Sequence, residues 1–490
     1  MAIDNRLNQG LIISLYIPWV ISVIVQGSPA VSYWIAWLGS FFIFYQTWFS
    51  SSRFILPDFP LYKQIMRPIF LQQLVFAGFM CCTSVFYFVD NIGFVLFPDL
   101  KHLDSQLLQS SAALIAKCQR LSLLAHAALV TGILLVQQKH MQDRPLYIFS
   151  GKPPYSNRIM WISSTTLLLS IAMQRIPGLS QFSIGLYSVA VFSGAVIFVR
   201  GFREARIELL IFGGSIFVAN VISSTLSGYK EHIIVNLIII SCLLFPYYKK
   251  TVIAISVPGF LLLFYILPTY VSVIRSQAWS GNATAEEARS EAVENILNQN
   301  EEQLNATSWG FLTNRLSEIN MFTQYVSTTP EINPYYGNEI LFNSLSAIIP
   351  RVLWPSKPIT EDIAMERVIA AGVVDPLSDV SAKTRPVIDG YLSAGILGIF
   401  FYILFLGGIS QLLNNLAENL FGGYETGSII FFNGFFEFMW RGQTMEFMLN
   451  SLFWNSVSMF MIFKLLKLIG YIKRTSSKQA VIYNPKSISV

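Results

Sequence analysis

Charge is what this sequence has least of. Only 12% of its 490 residues are Asp, Glu, Lys or Arg, against 53% hydrophobic residues, and mean hydropathy is +0.52. An ordinary soluble domain carries about a quarter of its residues charged, so this balance excludes one. A formal net charge of +5, spread over short segments rather than gathered on one face, excludes nucleic acid as a partner. Histidine and cysteine are scarce, with four residues of each. Cys81, Cys82, Cys118 and Cys242 lie in or beside apolar runs, with no CxxC spacing and no histidine pair to complete a zinc site. They read as small buried hydrophobes, and neither a metal nor another cofactor is expected. A small-residue cleavage site is missing after the first apolar run, so LIISLYIPWVISVIVQ is read as a membrane helix rather than a signal peptide.

What the sequence has in abundance is apolar runs of about 17 to 25 residues, the length that crosses roughly 30 Å of hydrocarbon as helix. They fall near 10–26, 31–49, 68–89, 107–137, 158–175, 181–199, 207–225, 232–247, 251–273, 389–411, 425–440 and 444–466. Runs such as LLLFYIL and VNLIIISCLLF lack the alternation of barrel strands, so the expected fold is all-α: a polytopic bundle of about twelve transmembrane helices. Basic residues alternate between the short connections. One side carries Arg53, Lys63 and Arg67, then Arg144, Lys152 and Arg158, then Arg200, Arg203 and Arg206, then Lys249 and Lys250, and last the tail with Lys473 and Arg474. By the positive-inside rule both termini are cytoplasmic. The connection LAENLFGGYE breaks the pattern, and the division between the last two runs is the place where a miscount is expected.

This gives an N-terminal transmembrane bundle over 1–274, a large, partly helical outer loop over 275–387, C-terminal transmembrane helices over 388–470 and a cytoplasmic tail over 471–490. A loop of that length is usually functional. Its residues 283–305 are rich in helix formers, and GFLTNRLSEINMFTQYV, 310–326, sets Arg315 and Glu318 on one helical face, where they can simply pair with each other. Then comes IIPRVLWPSKP, 348–358. Pro350, Pro355 and Pro358 stiffen the backbone around Arg351 and Lys357, and Trp354 between them suits the lipid–water boundary. Such a segment either aims its cations at a substrate or pins the loop to lipid phosphates.

The run IIPRVLWPSKP, followed by SAKTRPVIDGYLSAGILGIFFYILFLGG entering a membrane helix, resembles the Wzy-type O-antigen and exopolysaccharide repeat-unit polymerases. SGYKEHIIVNLIII, with Ser227, Gly228 and Lys230, is similar to an outer-side element of the same families, with lysine where arginine is more usual, and WRGQTMEF resembles their late arginine-glycine turn. The resemblance implies a metal-independent, lipid-carrier-dependent glycosyltransferase at the outer face of the bacterial inner membrane. It would join polyprenyl-diphosphate-linked oligosaccharide repeat units and release polyprenyl diphosphate. Membrane lipid, a chain-length-determining co-polymerase and a flippase are the partners it suggests.

Negative charge builds on the departing diphosphate in such a reaction, and preorganised cations, arginine above all, are the means of stabilising it. Arg351, Arg385, Lys230 and Arg441 are the leading candidates, because each begins or ends a helix at the outer interface. Arg120 and Lys117, Lys357, Trp354, Arg315 and Glu339 are candidates for substrate binding; Arg120 can equally snorkel from its helix end. Asp389 and His232 are candidates for a general base; Asp389, four positions after Arg385, is equally placed to cap its helix or to pair at i,i+4. No activated serine or cysteine is recognisable, which favours single displacement with inversion. An O-antigen ligase shares the topology, but its loop is expected to carry a functional histidine, and 275–387 contains none. A flippase or transporter is expected to show internal repeats, and none is found.

Overall fold

The computed structural model describes residues 9–48, 59–92, 111–139, 145–150, 154–176, 179–226, 230–274, 290–292, 294–296, 301–351, 353–376 and 382–475. Helices dominate. In chain order they are α1 (Gln9–Ile24), α2 (Pro29–Trp48), α3 (Pro68–Ala77), α4 (Ser84–Ile92), α5 (Ala112–Lys139), α6 (Tyr155–Gln174), α7 (Ser180–Glu204), α8 (Ile207–Leu226), α9 (Lys230–Leu244), α10 (Lys249–Ile274), α11 (Glu301–Phe311), α12 (Ile319–Thr328), α13 (Glu339–Ala347), α14 (Thr360–Ala370), α15 (Pro386–Leu420), α16 (Asn433–Phe436), α17 (Phe438–Arg441) and α18 (Met445–Leu468). Three π-helical stretches join them: Gly78–Cys82, Leu312–Leu316 and Tyr424–Phe432.

Within the described residues, each of the twelve apolar runs is mainly helical. Among the described residues, seven helices are long and apolar enough to cross a membrane: Pro68–Asn91, Ala112–Gln137, Gln181–Glu204, Ile207–Ser224, Lys249–Tyr270, Pro386–Leu420 and Met445–Leu468. The chain is thus an all-α, multi-pass membrane protein by length and composition. The run at 425–440 differs most from its expectation. It is a chain of short pieces, the π-helix Tyr424–Phe432 followed by α16 and α17, and nearly all of it is buried.

The chain divides into two compact units. The first comprises Met1–Cys82, Ala113–Ser193 and Met321–Val490, and the second Thr83–Ala112 and Gly194–Asn320. Within the interval 275–387 the boundary between the units falls at Asn320 and Met321.

In the first unit α5 is buried along most of its length, because its Ala-rich sequence, with Gly132, lets neighbours approach closely. A Cβ at Gly132 would collide with the Leu404 carbonyl of α15, and one at Gly407 of α15 with the Leu129 carbonyl of α5. His126 is the buried polar side chain at the centre of this packing, and it is paired on both ring nitrogens, as burial requires. His126 is fully buried, with Nδ1 2.7 Å from Ser40 Oγ and Nε2 3.1 Å from Gln73 Oε1. The Gln73 oxygen only accepts, so Nε2 carries the proton and Nδ1 accepts from Ser40.

At one end of α15, Arg67 is 1% exposed and makes a two-point pair with Glu418, Nε to Oε1 and Nη2 to Oε2 both at 2.8 Å, with Tyr424 under its guanidinium at 5.0 Å. Two three-residue antiparallel strands, β1 (Tyr147–Phe149) and β2 (Ile472–Arg474), pair beside it.

α15 is not straight. Ala394 (φ −155°, ψ 31°) and Gly395 (φ 60°, ψ −134°) leave the helical region, and the chain folds back so that Gly390 packs on Gly398. A positive φ with so close an approach suits glycine. The carbonyls left open at this break are used: the N–H of Tyr336 donates to Leu392 O at 2.9 Å and that of Gly337 to Ser393 O at 3.0 Å.

In the second unit α10 packs on α9 and α11, and α9 on α8. Asn236 is fixed between Asn220 and Ser224 at 2.7 and 3.0 Å, and Trp309 Nε1 donates to Asp90 Oδ1 at 2.8 Å. α8 and α10 present Ile211, Val218, Ile255 and Leu261 outward, as helices that face lipid do.

Candidate functional site

Arg385 caps the N-terminus of α15 in extended conformation (φ −97°, ψ 160°), with Pro386 at the first helical position, where its missing N–H costs nothing. Asp389 follows in the first turn. The sequence offers Arg385 as its i,i+4 partner, but the structure gives it others. Its Oδ1 accepts from Thr384 Oγ1 at 2.6 Å and from Arg367 Nη2 at 3.3 Å, and its Oδ2 accepts the Met445 N–H at 2.8 Å. That N–H belongs to the first turn of α18, one of the donors a helix start leaves open.

Arg367, near the end of α14, also grips Glu446 in the first turn of α18, Nη1 to Oε1 at 2.7 Å and Nη2 to Oε2 at 3.0 Å. One guanidinium thus bridges carboxylates on the first turns of two membrane helices. Both carboxylates favour helix N-termini. Arg367 is 3% exposed, and Asp389 and Glu446 are fully buried. Burial opposes the Arg367 charge, but Asp389 and Glu446 outweigh it and hold the guanidinium above its ordinary value.

The turn between α17 and α18 lies over this cluster. Arg385 Nη1 donates to the carbonyls of Arg441 and Gly442 at 2.6 and 2.8 Å, and Gly442 adopts φ +78°. Arg441 in turn pairs with Glu437 at 2.9 Å, with the two side chains 13% and 18% exposed. Lys383 is exposed and sits over the Phe447 ring at 5.1 Å.

The other sequence candidates fall as follows. Arg351 is exposed, its Nη2 3.4 Å from Pro358 O, and Trp354 is exposed on the same turn. Lys357 donates to the carbonyls of Ala347 and Ile349 at 2.8 and 3.0 Å, closing the C-terminus of α13; burial, and next the Arg351 cation, hold its ammonium below the ordinary value. Glu339 is exposed in the first turn of α13. Lys117 is exposed on α5, and the half-buried Arg120 donates to Ser32 Oγ at 2.7 Å. Lys230 and His232 open α9, and Arg315 lies in the π-helix Leu312–Leu316, all in the second unit. Ser227, Gly228 and most of 283–300 lie outside the described residues.

Sequence reasoning thus brought Arg385, Asp389 and Arg441 to one place and missed Arg367, Glu446 and Glu437. Arg367 sits in TEDIAMERVIAAG, which reads as an ordinary solvated helix, and Glu437 is one of two charges, with Glu425, in the apolar run 425–440. A carboxylate set in an apolar run is the signal that could have drawn notice to Glu437.

Residues 17–474 match the family described as "Domain of unknown function (DUF8712)". The chain belongs to that family. No curated protein and no solved structure matches it. The residues of this DUF8712 chain therefore carry the functional reading by themselves.

Proposed function

We propose that this protein is a multi-pass glycosyltransferase that joins polyprenyl-diphosphate-linked oligosaccharide repeat units at the outer face of a bacterial inner membrane. One observation carries the reading. Two of the segments that resemble Wzy-type polymerases, SAKTRPVIDGYLSAG and WRGQTMEF, are remote in sequence but meet in the first unit through Arg385 on Arg441 and Gly442 and Met445 on Asp389, and Tyr336 and Gly337, ahead of IIPRVLWPSKP, join them at Leu392 and Ser393, while SGYKEHIIVNLIII belongs to the second unit.

In this reading the buried Arg367–Asp389–Glu446 cluster is scaffolding, since none of the three is open to a substrate. It sets the turn that carries Arg441, and Arg385 positions that turn from below. Arg441 and Lys383 meet the donor diphosphate. Glu437, partly exposed beside Arg441, takes the proton from the acceptor hydroxyl as its oxygen attacks the donor sugar C1. The bond from C1 to the phosphate oxygen breaks with inversion, and polyprenyl diphosphate leaves with the electron pair, its charge held by the cations.

The topology that accompanies this reading has twelve spans, both termini cytoplasmic and the interval 275–387 outside. Segments that the charge pattern assigns to the inner side support it, for they pair with one another: β1 with β2, and Arg67 with the end of α15 at Glu418. The Arg67 pair also accounts for the missing positive charge of LAENLFGGYE.

Complementation tests the reading. In a strain lacking its own repeat-unit polymerase, the wild-type protein is expected to restore a polysaccharide ladder on a gel. Arg351→Ala and Arg385→Ala, at matched membrane abundance, are compared beside it. Arg385→Ala is expected to collapse the ladder to single repeat units and Arg351→Ala to shorten it less. Absence of a ladder from wild type would overturn the function; a full ladder from Arg385→Ala would overturn the site.

A further inference from the structure

α13 buries Ile340, Ser344 and Ala347 and packs along α18. Its opposite side is apolar as well, and it is uncovered. Phe342 is 65% exposed, and the turn that follows carries Leu353 at 77%. Leu345 and Ile349 continue the same stripe at helical spacing. A water-facing helix does not present such a stripe without a partner.

The height of α13 along α18 says what covers it. Trp454 Nε1 donates to Ile348 O at 3.1 Å, and Trp454 lies nine residues into α18, about 13 Å below its first residue. Next to it Phe453 is exposed, and Phe460 and Met461 extend the exposed face of α18. α18 is one of the membrane-crossing helices, so the stripe on α13 is continuous with a surface that faces hydrocarbon. A loop riding above the bilayer would meet α18 at its first turn instead. Arg351, exposed at the end of the stripe, suits the phosphate layer, as basic residues flanking buried apolar segments do.

We infer that residues 339–354 are a re-entrant element seated in the lipid leaflet at the N-terminal ends of α15 and α18, with Phe342, Leu345 and Leu353 among acyl chains and Arg351 at headgroup phosphate. The occupant of the stripe is bilayer lipid. This inference does not depend on the proposed chemistry, and its test involves no sugar substrate.

The experiment uses the full chain in vesicles of phosphatidylethanolamine and phosphatidylglycerol, with single nitroxide labels at positions 342, 351, 353, 366 and 460 and the native cysteines replaced. Relaxation by oxygen, which concentrates in lipid, is compared with relaxation by a water-soluble nickel chelate. Labels at 342 and 353 are expected to favour oxygen as the label at Phe460 of α18 does, the label at 351 to read headgroup depth, and the label at Glu366 of α14 to favour nickel. Each labelled chain is first required to melt as the unlabelled protein does. Nickel access at 342 and 353 equal to that at 366 would overturn the inference in favour of a solvated loop. Exclusion of both reagents at 342 and 353 would overturn it in favour of a protein partner, and recovery of oxygen access at one chain per vesicle would then identify that partner as a second copy.

Discussion

Arg367 and Glu446 stand 79 positions apart and form a two-point ion pair at 2.7 and 3.0 Å with both side chains sealed from solvent. Asp389 shares the same guanidinium. The cluster ties α14 to the first turns of α15 and α18 and so fixes the end of the molecule where the polymerase-like segments meet.

Removing one member of such a buried pair strands the other charge, at a cost of about 3–5 kcal/mol. Arg367→Ala and Glu446→Ala are each expected to lower the melting temperature of the purified protein strongly, and Glu446→Gln to lower it less. A double-mutant cycle between Arg367 and Glu446 should return a coupling of roughly 0.5–3 kcal/mol. Additive losses would mean that the two side chains act independently.

Arg67 and Glu418 form the corresponding tie at the other end of α15. Glu418→Ala leaves Arg67 buried over Tyr424 without its carboxylate, and a loss of similar size, about 3–5 kcal/mol, is expected. Arg67→Lys is expected to be costly too, because an ammonium cannot reproduce the two-point geometry or the flat contact with the ring. Unchanged melting of Arg67→Lys would show that charge alone suffices.

The break in α15 rests on Gly398 against the Gly390 carbonyl. Gly398→Ala is expected to destabilise by about 1–3 kcal/mol through overpacking, and Gly398→Val by more. Thermal melting in detergent reads both. A Gly398→Val protein that melts like wild type would mean that the two arms of α15 do not touch.

Much of this architecture was legible in the sequence. Apolar length alone marks the long helices, since a helix is the way to satisfy backbone groups over such stretches in lipid. The polymerase-like segments, read from local residues, led to Arg385, Asp389 and Arg441. Pairing was not legible. Arg385 and Asp389 at i,i+4 look like partners, yet Arg385 grips a turn 56 residues away and Asp389 answers to Arg367. Burial of a charge is decided by what packs over it, and α14 carries Glu361, Asp362 and Glu366 around Arg367, a pattern of a solvated surface. The fold-back at Ala394 and Gly395 was hidden inside one uninterrupted apolar run.

Glu437 is the carboxylate of this end that keeps partial exposure beside a cation. Glu437→Gln preserves shape and removes the base. Turnover is expected to fall by about 10²–10⁴-fold with the protein still folded at the assay temperature. Equal turnover of Glu437→Gln and wild type would move the base elsewhere.

The most direct measurement is made on purified protein in vesicles supplied with polyprenyl-diphosphate-linked oligosaccharide, following glycan length and free polyprenyl diphosphate together. The wild-type chain is predicted to lengthen the glycan by whole repeat units and release one polyprenyl diphosphate per unit joined, and Arg441→Ala to lose both while remaining folded. Neither lengthening nor release from the wild type, or an Arg441→Ala protein as active as the wild type, would contradict the account.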